Sequence, residues 1–437
     1  MSELRDPDRP DLADRPDQPD LPDLDVGRRE RPRLRDLYAD DDWDIFPGAN
    51  GSSDARTEHV TDAAGQDRHG DEDRRDNPDR HDEAIQDNET YDGTRDSTQG
   101  DARNDGTGDS ADSPEDGLSK LEAEHPEVGS VVRRLADDTA HRLDLTAALR
   151  DPRRRADTLA VIGELAEGRL LPDGDLERYR QESPGRGRLF TEVPPEVNHN
   201  ADGTSRKDTY LARCEAADPA RRVGSLPDVR QQDAVGEYAA RLANTVEPLV
   251  AGEVEDLAAD LPGATVSTRT KMDREILDKV GRMSSGSDSR PPREDYRVGH
   301  VVDAVGARIT ATDTDQLGRL LDRVCETLGV GDGGRVLELD NMYAAPKASN
   351  PSYRVIPLLV AVEADGIPYT YELQLTTRRA SAAADLEHNT IYKAHVPTSD
   401  GQRDAVRRMM AEAAALDQQE TRDPAENATG DGTRRMR

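Results

Sequence analysis

Lysine is a rare residue in this chain, and its placement suggests a site for negatively charged groups. Only six of the 59 basic residues are lysines, and the others are arginines. Four of the six lie in the C-terminal half beside other polar residues: Lys271, Lys279, Lys347 and Lys393. An ammonium group is a compact point charge, whereas a guanidinium is a planar fork. The clustering therefore indicates a local basic pocket that could bind phosphate.

Asp303 is a carboxylate in the otherwise apolar segment "HVVDAVGARI", which has the composition of a strand. Burial of an unpaired carboxylate is costly, so this side chain needs a metal ion, an arginine partner or a position at the end of the strand. Arg308 is close in sequence, but the odd spacing places it on the opposite face of a regular strand. Asp303 is therefore a candidate for a structural ion pair or for metal binding.

A second acidic residue lies in the segment "TYELQLTT", where polar and apolar residues alternate. Glu372, Gln374 and Thr376 share one face of the predicted strand, and apolar side chains occupy the other. Such a polar row is either a solvated face or the floor of a cleft. The preceding segment "YRVIPLLVAVEA" is apolar on both faces, which favours a central position in the sheet and hence a cleft.

The loop "MYAAPKASNPSYRVI" brings scarce residue types together just before that apolar strand. Lys347 could offer its charge to phosphate. Tyr353 could offer a flat face to a base, and such stacking is worth about 1–3 kcal/mol per base. The alternative for Tyr353 is a hydrogen-bonded tyrosine in the core.

The elements that position these residues form a mixed pattern of helices and strands. Strands are predicted in "ATVSTRTK", "HVVDAVGARITAT", "RVLELDNMY", "YRVIPLLVAVEA" and "PYTYELQLTT". The last two are joined by Asp365 and Gly366, a hairpin signal. Helices are predicted between and after them, one of them capped by Asp313 or Thr314. The pattern predicts an α/β (α+β) domain, with a mixed sheet of about five strands flanked by helices.

Composition divides the 437 residues into four parts. Hydrophobic residues make up 33% of the chain, charged residues 34%, and the net charge is −32. Because low hydrophobicity with high charge is typical of disorder, we expect residues 1–117 to be a disordered acidic and arginine-rich tail, and residues 421–437 a second tail. Residues 118–227 are predicted to be a helical region followed by a linker or long loop, which spans about 184–228. Residues 228–420 form the α/β domain.

The same composition limits the partners and the setting. A strongly acidic surface repels nucleic-acid phosphates, so phosphate must bind in a local basic pocket. No membrane span or signal peptide is indicated, and two distant cysteines give neither a disulfide framework nor a metal motif, so we expect a cytoplasmic protein. The aromatic segment "YADDDWDIFPG" could bind a partner or be incidental.

Five segments, in this order, resemble motifs of the RelA/SpoT-type alarmone synthetases, especially the small single-domain ones. They are "RTK", "DAVGARI", "YAAPKASNPSY", "YELQLTT" and "LEHNTIYK", and they span about 228–420. The resemblance implies a nucleotidyltransferase-like sheet. It also implies Mg²⁺-dependent transfer of the β,γ-diphosphate of ATP to the 3′-hydroxyl of GDP or GTP, which gives (p)ppGpp.

The resemblance also assigns roles. Asp303 would hold Mg²⁺, and Glu372 would hold Mg²⁺ or activate the 3′-hydroxyl. The ATP-binding residues would be Arg269, Lys271, Lys279 and Arg308. On the acceptor side, Lys347 would meet phosphate, Tyr353 would stack on the base, and Gln374, His388 and Lys393 would support the site.

Four positions depart from the family pattern, mainly around acceptor and phosphate contacts: Glu275, Met342, Pro357 and Thr376. They leave room for two alternatives of the same fold, a toxin that pyrophosphorylates tRNA 3′ ends and an enzyme that makes (p)ppApp. A third alternative is an inactive nucleotide-binding or regulatory module. Further expected partners are a second copy of the chain and an antitoxin or regulator. No hydrolase motif precedes the domain, so we expect no built-in alarmone hydrolysis.

Overall fold

The computed structural model describes residues 114–138, 144–172, 174, 176, 187–286, 291–392 and 395–421. The predicted tails, apart from the start of the first helix and the end of the last, lie outside these residues. The aromatic segment around Trp43 and the side chain of Lys393 lie outside them as well.

The centre of the fold is a five-stranded mixed sheet, as predicted. Its strands are β1 (Thr265–Thr270), β2 (Val305–Ala311), β3 (Val336–Leu339), β4 (Ile356–Ala364) and β5 (Ile367–Thr377). Their order is β1-β2-β5-β4-β3, and β2 pairs with β5 in parallel while the other pairs are antiparallel. The predicted strand around Asp303 begins later than expected, because residues 298–300 form a 3₁₀ turn and the strand starts at Val305.

The hairpin between β4 and β5 is confirmed. Asp365 and Gly366 both adopt positive φ angles, of 52° and 75°. Two successive positive φ values suit the twist of adjacent antiparallel strands, and Gly tolerates such a value without strain. The turn fixes the register in which Leu359 faces Glu372 and Pro357 faces Gln374.

Helices surround the sheet. In chain order they are α1 (Pro114–Glu124), α2 (Pro126–Asp137), α3 (Asp144–Arg150), α4 (Pro152–Glu167), α5 (Pro195–Asn198), α6 (Arg206–Ala217), α7 (Val229–Arg241), α8 (Glu247–Ala258), α9 (Asp273–Ser285), α10 (Thr314–Leu328), α11 (Arg378–Glu387) and α12 (Asp400–Glu420). A π-helical turn, Leu242–Val246, joins α7 to α8 where Pro248 cannot donate a backbone hydrogen bond. Asp313 caps α10, one of the two residues predicted for that cap. Within the described residues, every helix is too short or too polar to cross a lipid bilayer.

One face of the sheet is apolar. Ala307 and Ile309 of β2 and Leu373 and Leu375 of β5 are fully buried on this face, in one core with residues of α7, α8 and α10. Alternation along each strand therefore leaves the polar side chains for the opposite face.

The helices α1–α4 confirm the predicted helical region and pack on the C-terminal helices. Leu135, Leu149 and Ile162 share a second apolar core with Leu386 of α11 and Met409 of α12. Arg379 also pairs with Glu164 across this boundary at 3.8 Å. The helical region and the end of the α/β domain are thus joined by a common core.

The linker predicted for about 184–228 is wrong for residues 206–217, which form α6. This helix lacks an apolar stripe, and its buried positions include Arg206 and Lys207. Lys207 instead forms a buried ion pair with Glu338 of β3, with a distance of 3.0 Å between Nζ and Oε2. Pairing of charges, which hydrophobic periodicity does not register, therefore contributes to the packing of this helix, together with the buried side chain of Cys214.

Candidate functional site

A strip of polar side chains crosses three neighbouring strands on the face opposite the apolar core. Arg269 of β1 faces Gly306 of β2, which in turn faces Glu372 of β5. Arg308 of β2 faces Gln374 of β5 in the same way. Directly opposed residues of paired strands project on the same face, so these four side chains lie together. The polar row predicted for β5 is thus part of a continuous polar strip, in which Arg308, Glu372 and Gln374 are buried and Arg269 is partly buried.

Asp303 lies in the turn just before β2, at one end of this strip, and is fully buried. Its Oδ2 atom is 3.2 Å from Nζ of Lys271 and 3.1 Å from Nζ of Lys279. Arg269 approaches the same oxygen at 3.9 Å. The buried carboxylate therefore sits among cations, and the arginine close to it is Arg269 rather than Arg308. Three of the predicted ATP-binding residues are brought together by one acid.

Glu372 is almost fully buried, and its environment raises the pKa of its carboxyl group from 4.5 to about 7. Burial is the largest cause, and the negative charge of Asp303 is the second. A hydrogen bond from the Gln374 amide and the positive charges of Arg269 and Lys279 act in the opposite direction. The two acids thus act on each other within one buried cluster of charges, an arrangement found at catalytic sites and also in structural ion-pair networks.

Arg308 is buried and held by three side chains. It pairs with Asp385 at 2.9 Å, donates to Oε1 of Gln374 at 3.3 Å, and donates to Oγ of Ser381 at 3.2 Å. Ser381 and Asp385 lie on α11, and sequence reasoning did not select either of them. The available signal was their spacing of one helical turn in the alanine-rich segment "ASAAAD", which places two polar groups on one helix face.

The acceptor-side residues are less exposed than their predicted roles require. The Tyr353 side chain is 6% exposed and packs in the second core with Met342 and Val355, and burial raises its pKa above the usual range. A base could stack on Tyr353 only after its neighbours move, so that role stays a prediction. Lys347 is partly buried, and His388 is buried with its ring 5.2 Å from that of Tyr392.

The positions that depart from the family motifs have structural roles here. The Glu275 carboxylate accepts a hydrogen bond from the Met272 backbone at 2.7 Å and caps α9. Thr376 donates to the carbonyl of Arg354 at 3.2 Å, and Met342 is fully buried in the second core.

A Mg²⁺ ion that arrives with a nucleotide would meet two carboxylates here, Asp303 and Glu372. Clusters of three or more His, Cys, Asp or Glu side chains placed to hold a metal do not occur in the described part of the chain. Mg²⁺ commonly takes only one or two protein carboxylates and completes its shell with water and substrate phosphates.

No protein-family model matches the sequence, and no curated protein matches it. Among solved structures, the chain is similar to the small alarmone synthetase 1 from Bacillus subtilis, with 17% identity over 45% of this chain and 99% of that chain and a TM-score of 0.34. It is similar to a GTP pyrophosphokinase family protein from Streptococcus pneumoniae, with 18% identity over 46% of this chain and 97% of that chain and a TM-score of 0.33. The Bacillus subtilis enzyme bound to its product pppGpp gives 20% identity, 47% and 98% coverage, and a TM-score of 0.30.

Proposed function

We propose that residues 228–420 form an ATP-dependent pyrophosphokinase that transfers the β,γ-diphosphate of ATP to the 3′-hydroxyl of GDP or GTP. The observation that carries this proposal is the buried cluster in which Asp303 and Glu372 lie with Lys271, Lys279 and Arg269. The motif order in the sequence supports the same assignment.

Diphosphate transfer requires positioning and charge neutralisation rather than covalent catalysis by the protein. The acceptor oxygen attacks the β-phosphorus of ATP, the bond from that phosphorus to the α-phosphate oxygen breaks, and AMP leaves with the bonding electrons. Lys271, Lys279 and Arg269 would neutralise the phosphates, and Asp303 would hold Mg²⁺, which would help to stabilise the developing charge.

Glu372 would take the proton of the 3′-hydroxyl. A general base works best when its pKa is near the operating pH, and the pKa of about 7 of this carboxyl meets that condition. Gln374 would hold the carboxylate in place, since its amide donates a hydrogen bond to Glu372.

The acceptor experiment uses the full chain with γ-³²P-ATP and Mg²⁺, and offers GDP, GTP, AMP, ADP or deacylated tRNA in parallel. We expect label on a guanine nucleotide. Asp303→Asn and Glu372→Gln should each abolish transfer, whereas Glu363→Gln, which changes an exposed acid of β4, should not. Label on no acceptor would refute the proposal and favour a nucleotide-binding module.

A tRNA acceptor is the second candidate, because a groove lies beside the acceptor loop. The groove has a volume of about 630 Å³ and is lined by loop residues 349–352 and by Arg407 and Arg408 of α12. Two acids, Glu387 and Asp404, line the same groove, and Asp404 pairs with Arg407 at 3.1 Å. Guanidinium groups are suited to contacts with nucleic-acid phosphates. Label on tRNA alone in the same experiment would select this candidate, and label on AMP or ADP would indicate (p)ppApp synthesis.

A further inference from the structure

A cleft of about 120 Å³ lies between the helical region and the edge of the sheet. One wall comes from the α/β domain and includes Ser267 of β1 and Arg308 of β2. The other wall comes from α3 and α4, and includes Arg154, Asp157 and Thr158. The second wall lies well outside the range 228–420 that carries the sequence motifs.

The cleft is continuous with the polar strip. Ser267 is the direct cross-strand partner of Arg308, and Arg269 is the next residue on the same face of β1. Arg269 in turn approaches Asp303 at 3.9 Å. A nucleotide lying along the strip would therefore have its phosphates near Asp303 and its base in the cleft.

The cleft is small. A cavity of about 150 Å³ accepts a single benzene ring, so a cleft of about 120 Å³ would take one edge of a purine, and the rest of the base would lie against the exposed side chains of Arg154 and Asp157. Guanidinium planes such as those of Arg154 and Arg308 stack on aromatic faces. The carboxylate of Asp157 can accept a hydrogen bond from the C6 amine of adenine, whereas guanine in the same orientation would present a carbonyl oxygen, which the carboxylate repels. Guanine could meet this carboxylate with its C2 amine only in another orientation.

Contacts with neighbouring helices fix the position of α4 beside the cleft. Leu159, Ile162 and Leu165 of α4 are buried in the core shared with α11 and α12. Glu164 pairs with Arg379, the second residue of α11. The same α11 carries Asp385 and Ser381, which hold Arg308. The two walls of the cleft are thus tied to one helix.

We propose that α4 completes the donor-nucleotide site, with Arg154 and Asp157 contacting the adenine base of ATP. This inference rests on the proposed function, because it takes the strip as the path of the donor phosphates. It assigns donor affinity and base selectivity to residues from the helical region.

The test measures binding of α,β-methylene-ATP to the full chain with Mg²⁺ by calorimetry. This analogue cannot react, because the methylene group replaces the oxygen of the bond that transfer breaks. Arg154→Ala should raise the Kd at least tenfold. Arg153→Ala is the matched control, since Arg153 is an exposed neighbour on the same helix that does not line the cleft, and its Kd should change less than twofold. Asp157→Asn should reduce the preference for this analogue over α,β-methylene-GTP.

Several results would overturn the inference. One is an unchanged Kd in the Arg154→Ala variant. Another is a lower Kd in that variant, which would mean that α4 obstructs the site. A third is the absence of binding by the wild-type chain at millimolar concentrations of the analogue. Thermal melting of each variant checks that it folds.

Transfer assays separate the inference from the proposed function. A wild-type chain that binds the analogue through Arg154 but labels no acceptor supports the inference and refutes the function. If the Arg154→Ala variant transfers diphosphate with the same donor KM as the wild-type chain, the result supports the function and refutes the inference.

Discussion

Replacing Glu372 by glutamine should abolish transfer and yet stabilise the fold. Both effects come from removing the charge of a buried carboxyl group. The folded state raises the pKa of this carboxyl from 4.5 to about 7, mainly by burial and by the charge of Asp303. A carboxyl that keeps its proton in the folded state while the unfolded chain loses it costs stability as the pH rises. Glutamine keeps the shape and the polar contacts without the charge.

The magnitude follows from the two pKa values. With pKa values of 4.5 and about 7, the cost is about 1 kcal/mol at pH 5.5 and about 3 kcal/mol at pH 8. The cost therefore changes with pH between about 4.5 and about 7. Below this range the carboxyl group is protonated in both the folded and the unfolded state, and above it the cost is constant. The substitution Glu372→Gln should raise the free energy of unfolding by roughly 2 kcal/mol more at pH 8 than at pH 5.5.

Urea unfolding at pH 5.5 and 8 measures this difference, and Glu363→Gln is the control because that side chain is exposed. A gain of stability that is equal at both pH values, or a loss at pH 8, would contradict the argument. In the wild-type chain, kcat/KM should rise with pH through about 7, because Glu372 acts as a base only after it loses its proton.

Three further predictions concern the parts that support the site. Asp385→Asn should raise the donor KM roughly tenfold, because Arg308 loses its buried anionic partner at 2.9 Å; a donor titration with an unchanged KM would contradict this role. Lys207→Met should lower the free energy of unfolding by about 3–5 kcal/mol, because it leaves the carboxylate of Glu338 buried without a cation. Urea unfolding measures that loss, and adding Glu338→Gln to the same chain should recover part of it. Gly366→Ala should cost about 1–2 kcal/mol, because its φ of 75° strains any residue with a Cβ atom; a thermal melt that matches wild type would argue against it.

The parts of the fold that sequence reasoning predicted well are those with a local cause. Asp365 and Gly366 specify a hairpin by their own backbone preferences, and the alternation in β5 places Glu372 and Gln374 on one face without knowledge of the neighbouring strands. The helices α10 and α12 have regular apolar spacing.

The parts that sequence reasoning missed depend on long-range pairing of charges. Helix α6 is fixed by Lys207 and its partner in β3, and no local pattern announces such a pair. The partners of Asp303 come from β1 and α9, and the strand geometry assumed for Asp303 applied only from Val305 onward. For Tyr353, sequence reasoning left a base-stacking role and a place in the core open, and it did not indicate that the helical region contributes to the core in which this side chain lies.

The parallel pairing of β2 with β5 also sets the order in which the pocket can assemble during folding. Arg308 and Gln374, which touch across this pairing, are 66 residues apart in sequence. Closing so long a loop costs chain entropy before the contacts compensate for it. Asp303 and its lysines come from nearby segments and can associate early, whereas Glu372 arrives only when β5 inserts between β2 and β4. A chain still emerging from the ribosome would therefore carry the basic groups and one acid, and it would acquire the second acid in a single late step.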